Sequence, residues 1–151
     1  MGNMFLFKSR VIIIIVLGIF FSISGYTFYY GQGLSYLTDN PKTCINCHVM
    51  RDVFERWNHS SHKEVATCNG CHIPNKFLNK WFIKALNGWN HSRAFTTGNF
   101  NEPIRISGFN AKVVEQNCAT CHSMLASDIH KSDSKEGFTC IRCHPNTGHE
   151  K

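Results

Sequence analysis

The sequence has no cysteine to spare. All eight fall in four Cys-x-x-Cys-His units: CINCH (Cys44, Cys47, His48), CNGCH (Cys68, Cys71, His72), CATCH (Cys118, Cys121, His122) and CIRCH (Cys140, Cys143, His144). None is left over for a disulfide. Aliphatic and phenylalanine side chains are scarce past residue 30, with 24 Val, Ile, Leu and Phe among the 121 residues from Gly31 to Lys151. At about a fifth of the residues, this lies near the level at which a chain cannot close a core with its own side chains, so another apolar body must supply the interior. A dense basic cluster is also missing: beyond Lys8 and Arg10 the chain carries 14 basic and 10 acidic residues, spread out. Nucleic acid is therefore not an expected partner. No nucleophile elbow, phosphate loop or zinc-protease motif occurs. The 151 residues suffice for one modest domain and an anchor, not for two independent cores.

What the sequence does have is one long apolar run. Val11 to Tyr30 reads VIIIIVLGIFFSISGYTFYY, without a charge. A helix of that length rises about 30 Å, the thickness of the bilayer hydrocarbon. Tyr26, Tyr29 and Tyr30 gather at one end, where amphipathic rings favour the headgroup level, and Lys8 and Arg10 flank the other. Residues 1–10 are thus expected on the cytoplasmic side, 11–30 as a single transmembrane anchor, and 31–151 as a domain beyond the cytoplasmic (inner) membrane. The competing reading is a cleaved secretory signal ending near Ser22 or Ser24. An aromatic belt beyond those serines favours a retained anchor, and both readings place the domain in the same compartment.

Cys-x-x-Cys alone would suit zinc or thiol redox chemistry. The residue after the second cysteine decides otherwise. Two thiols form thioethers to the haem vinyl groups, and the adjoining histidine binds iron from below the ring. With 9 histidines in 151 residues, four chance occurrences at that offset have a probability of about one in a hundred thousand. Four covalently bound haem c groups are expected, and they are the missing apolar interior. The motif starts lie 24, 50 and 22 residues apart, which suggests two dihaem halves.

Five histidines remain as possible second ligands: His59, His62, His91, His130 and His149. His149 follows His144 too closely to reach the opposite face of the same haem easily, so a neighbouring haem suits it better. Met50 stands two residues after His48; on spacing alone His48 is the default ligand of the first iron.

From Lys76 to Phe95, Phe77, Leu78, Trp81, Phe82, Ala85 and Trp89 recur at helical spacing, with Lys76, Lys80 and Lys84 as a separate stripe. Two arrangements fit: an apolar face packed on the haem core, or an interfacial helix with its lysines towards lipid or a quinol. Residues 98–108 read as a loop, and 110–117 as a short helix entering the third motif. The expected fold is mainly α: one transmembrane helix and a small, loop-rich tetrahaem cytochrome c domain with little β structure.

SYLTDNPKTCINCHVM, the following WNHSSH, KALNGWNHSRAFTTG and the closing CIRCHPNTGH together resemble the NapC/NirT family of membrane-bound quinol dehydrogenases, in particular the branch serving nitrite reduction. The resemblance implies that menaquinol from the membrane's quinone pool is oxidised near the first haem. Electrons would then pass along four haems to a periplasmic pentahaem partner that reduces nitrite to ammonia. It further implies Met50, rather than His48, on the first iron, His72 with His149 on the second, and His122 with His62 on the third. The fourth would take His144 and a lysine of the partner. Lys84 and a polar side chain at Asn90 or His91 would lie at the quinol site. Some relatives carry an aspartate in that stretch; here residues 87–91 hold no acid. Service to another periplasmic reductase, or simple electron carriage without a quinol site, remain the alternative readings.

Overall fold

The apolar run contains no proline, and its branched side chains have no other element to pair with, so it forms one uninterrupted helix, α1 (Gly2–Tyr30). The computed structural model describes residues 2–132 and 139–149. The apolar stretch Leu6–Tyr30 is long enough to cross a membrane, and none of it is buried against the rest of the protein. The helix starts well before Val11: Leu6 and Phe7 extend the run, and Lys8 and Arg10 are good helix formers with long stems. The helix ends where Gln32 takes a left-handed conformation, φ 51°. The next residue is glycine for a steric reason, since a Cβ at Gly33 would lie 2.3 Å from the Phe28 ring.

Three short 3-10 turns follow, Gly33–Leu37, Pro41–Asn46 and His48–Met50, leading into α2 (Arg51–Asn58). Beyond them come α3 (Cys68–His72), α4 (Phe77–Thr97), α5 (Gly108–Cys121), α6 (Ser123–Ser132) and α7 (Cys140–Cys143), with no strand among the described residues. Thr67 and Ser107 cap α3 and α5 by accepting from Gly70 and Asn110 backbone N–H groups. The helices expected over 76–95 and 110–117 are present; the second runs on through the third motif as α5.

The core is as sparse as the composition demands. Trp57, Ile73, Ile83 and Val113 are the buried hydrophobic residues among those described, and the Trp57 indole donates to the Ala66 carbonyl at 3.1 Å. Helix α3 packs chiefly on α5, so the second motif lies against the third. The buried Asn117 joins them, its amide donating to the Cys71 and Ile73 carbonyls at 2.9 and 3.0 Å. Two separate halves, suggested by the motif spacing, are therefore not what the packing shows: the middle motifs are the most intimately joined.

Helix α4 differs from the expectation of an apolar face turned inward. Its inner face is Ile83 with Lys80, Lys84 and Asn87, while Leu78, Phe82 and Trp89 stand on the opposite face, 79%, 67% and 68% exposed. The lysines turn in because a carboxylate, Asp39, waits for them there.

Candidate functional site

The first motif spans two 3-10 turns, and the other three lie in α3, at the end of α5 and in α7; each sets its cysteines about one turn apart with the histidine directly after. The thiols form an ordered string. Cys44 hydrogen-bonds Cys68, which holds the Cys44 thiol down to about 7 and pushes that of Cys68 up. Cys71 lies within electrostatic reach of Cys121 and Cys118, and Cys118 within reach of Cys140. First motif thus adjoins second, second adjoins third, and third adjoins fourth. Glu115 secures the last step: its carboxylate oxygens accept from the backbone N–H groups of Cys140 and Ile141 at 2.8 and 2.9 Å. This ties α7 to the helix that carries the third motif.

The histidines meet across the chain. His72 faces His149 with ring centroids 6.2 Å apart, and His122 faces His62 at 6.1 Å. An imidazole nitrogen binds a transition metal at about 2 Å, and the ring centre lies about 1 Å behind it, so two rings sharing one ion stand about 6 Å apart. Both pairs fit an iron between them. Burial lowers the pKa of His72, and repulsion from His149 and His91 when these are protonated adds to this; His149 is lowered mainly by desolvation. Both rings are therefore neutral near pH 7, the form that ligates metal. The His149 Nδ1 lies 3.2 Å from the Val53 carbonyl, the kind of outer contact that fixes ring orientation.

At the first motif His48 is exposed and Met50 half-buried at the entry to α2. At the fourth, His144 is exposed at the end of α7. His59 bonds its own helix through the Glu55 carbonyl at 2.8 Å and joins neither imidazole pair.

Of the residues expected at a quinol site, Asn90 and His91 are exposed on α4; His91 nevertheless lies within electrostatic reach of His72, and partial desolvation lowers its pKa. Lys84 is different. Its ammonium group donates to Asp39 Oδ1 at 3.0 Å, to the Thr38 carbonyl at 2.9 Å and to the Tyr36 carbonyl at 3.3 Å, and lies 5.4 Å from the Trp81 ring centre. Asp39 also pairs with Lys80 and accepts from the Asn69 amide at 2.9 Å. These contacts, Lys80 first, hold its carboxyl far below the ordinary range. The pocket that Asp39 and Lys80 themselves line, with Thr67 and Asn69, is small, about 80 Å³. A separate open cavity of about 470 Å³ is lined by Phe28, Tyr29, Tyr30, Gln32, Gly33, Leu34 and Ser35 at the end of α1, and its last lining residue directly precedes Tyr36.

Asp39, Glu115 and Asn117 lie outside the four attachment motifs, and Asn69 fills a variable position of the second. Asp39 carried a signal, as the one acid between the anchor and the first motif. The others required knowledge of which motifs touch.

Fold and motif string define a helical c-type cytochrome on an apolar anchor. The chain belongs to the NapC/NirT cytochrome c family, whose N-terminal-region profile matches residues 6–151. It carries covalently bound haem c as a member of that family. It is 38% identical to the cytochrome c-type protein NrfH of Wolinella succinogenes, across 96% of this chain and 86% of that one. It is also 32% identical to the cytochrome c nitrite reductase subunit NrfH of Nitratidesulfovibrio vulgaris, across 78% and 71%. The crystal structure of the cytochrome c nitrite reductase NrfHA complex bound to the HQNO inhibitor contains a similar chain, with a TM-score of 0.65 at 26% identity over 91% of this chain and 90% of that one.

Proposed function

We propose that this chain is the membrane-anchored tetrahaem subunit that takes electrons from menaquinol and delivers them to a periplasmic nitrite-reducing subunit. The single observation that carries the reading is the presence of two pairs of facing imidazoles, 6.1 and 6.2 Å apart, within an ordered string of four attachment motifs. The likeness to the NrfH proteins supports nitrite reduction as the destination. The membrane is the cytoplasmic one: residues 1–10 lie on its cytoplasmic side, 11–30 span it, and 31–151 face the periplasm, as the basic N-terminal flank favours.

The family likeness suggests the roles, and the positions of the side chains support them. Met50, half-buried while His48 is exposed, holds the first iron; His72 and His149 hold the second, His122 and His62 the third. His144, exposed at the end of the string, holds the fourth, and a lysine of the pentahaem partner completes it. Bound haem supplies one-electron acceptors whose potentials the axial ligands set. The polypeptide receives the quinol at the foot of the domain, near the cavity lined by Phe28, Tyr30 and Leu34. Lys84, Asn90 and His91 are the residues of α4 that serve this site: Lys84 holds residues 36–39, and neutral His91 accepts one of the two quinol protons in place of the absent aspartate.

The test is reduction of the haems in membranes holding this chain when a menaquinol analogue is added, followed by onward transfer to nitrite once the catalytic subunit is present. Haem reduction is expected within the turnover time of the complex, and Lys84→Ala should slow it at least tenfold with haem content unchanged. An intact, fully haem-loaded chain that menaquinol analogue leaves oxidised would refute the reading.

A further inference from the structure

An ammonium group has three hydrogens to donate. Those of Lys84 are all engaged, by Asp39 Oδ1, the Thr38 carbonyl and the Tyr36 carbonyl, and its side chain is only 11% exposed. No donor is left to approach a ligand without breaking one of these bonds. The three acceptors belong to one segment, residues 36–39, which directly follows the stretch lining the 470 Å³ cavity at the end of α1. Asp39 is the charged member of that segment. It also reaches Lys80, one turn earlier on α4, and Asn69, between the two cysteines of the second motif. Asn69 donates as well to the Thr38 carbonyl at 3.2 Å. One carboxylate therefore joins the anchor's exit, the amphipathic helix and the second motif.

We propose that Asp39 is a positioning residue of the quinol site, acting through Lys84: the ion pair clamps residues 36–39 and thereby fixes the adjoining residues 33–35, which line the cavity. The inference rests on the quinol-oxidising reading and adds to it a residue outside the stretch 84–91. Lys84 then serves the site by holding the wall. If it contacts a quinol oxygen directly, the bond released is the one to the Tyr36 carbonyl, the longest of the three at 3.3 Å.

The test uses the full-length, haem-loaded chain in lipid nanodiscs and measures binding of HQNO, the inhibitor present in the solved complex, by quenching of its fluorescence. Asp39→Asn and Lys84→Met should each weaken HQNO binding tenfold or more. The double variant should be no weaker than either single, because both break the same clamp. Asp39→Glu should recover most of the affinity, and Lys80→Met, which removes the other ion pair, should stay within twofold. Thioether-linked haem absorbance equal to that of the unsubstituted chain shows that each variant is assembled. Effects that multiply in the double variant, or an Asp39→Asn chain that binds HQNO normally while Lys84→Met does not, would overturn the proposal and leave the quinol site standing. Equal weakening by Lys80→Met would overturn it too, reducing Asp39 to general support. If Lys84→Met also binds HQNO and oxidises quinol normally, the assignment of Lys84 itself fails.

Discussion

His72 and His149 are separated by most of the domain in sequence, yet their rings stand 6.2 Å apart. Ligand identity at such a pair tunes potential: thioether sulfur in place of imidazole raises it. We expect His149→Met to raise the midpoint of one haem and leave the others unchanged, as a redox titration followed by absorbance would show. A uniform shift of all four would contradict the pairing. Asp39 makes a second prediction at this scale. Its folded pKa is depressed below the ordinary value of about 3.9. Its contribution to stability is thus fully present above that value and is lost only as pH falls through the lower, folded one. Because the carboxylate is 45% exposed and screened, each ion pair contributes on the order of 0.2–1 kcal/mol. Melting curves of Asp39→Asn should show a deficit at pH 7 that persists at pH 5 and shrinks only in strong acid.

At the scale of elements, the four motifs and the apolar helix were legible because each is local: a five-residue word and a twenty-residue run. The helices over 76–95 and 110–117 were legible by periodicity. What periodicity could not give was the direction in which α4 faces. An amphipathic pattern distinguishes two faces but names the inner one only when the core is made of apolar side chains, and here Asp39, 45 residues from Lys84 in sequence, draws the polar face inward. Nor could spacing show that Glu115 caps a helix 25 residues further on. That cap is charge-assisted and meets two N–H groups at once. Glu115→Gln should destabilise the attachment of α7 by about 1 kcal/mol, seen as faster hydrogen exchange at Cys140 and Ile141 than at Asn117. Equal protection in both proteins would show the cap to be incidental.

For the molecule as a whole, the scarcity of aliphatic side chains is matched by a core with four buried hydrophobic residues among those described. Most of its cohesion must come through the motifs and the groups they hold. Replacing Cys118 and Cys121 by serine, in the motif that touches both the second and the fourth, should therefore unfold more than its own neighbourhood. Limited proteolysis is expected to cut such a chain throughout the domain while sparing α1. Cuts confined to residues near the altered motif would indicate that the units fold separately.

The left-handed turn at Gln32 and the Phe28 ring seated over Gly33 bind the start of the domain to the last turn of α1 with no slack between them. Such a joint makes the spanning helix a ruler. Each residue inserted before Phe28 would raise the first motif by about 1.5 Å and swing it by about a third of a circle, so height and heading above the lipid cannot be altered independently.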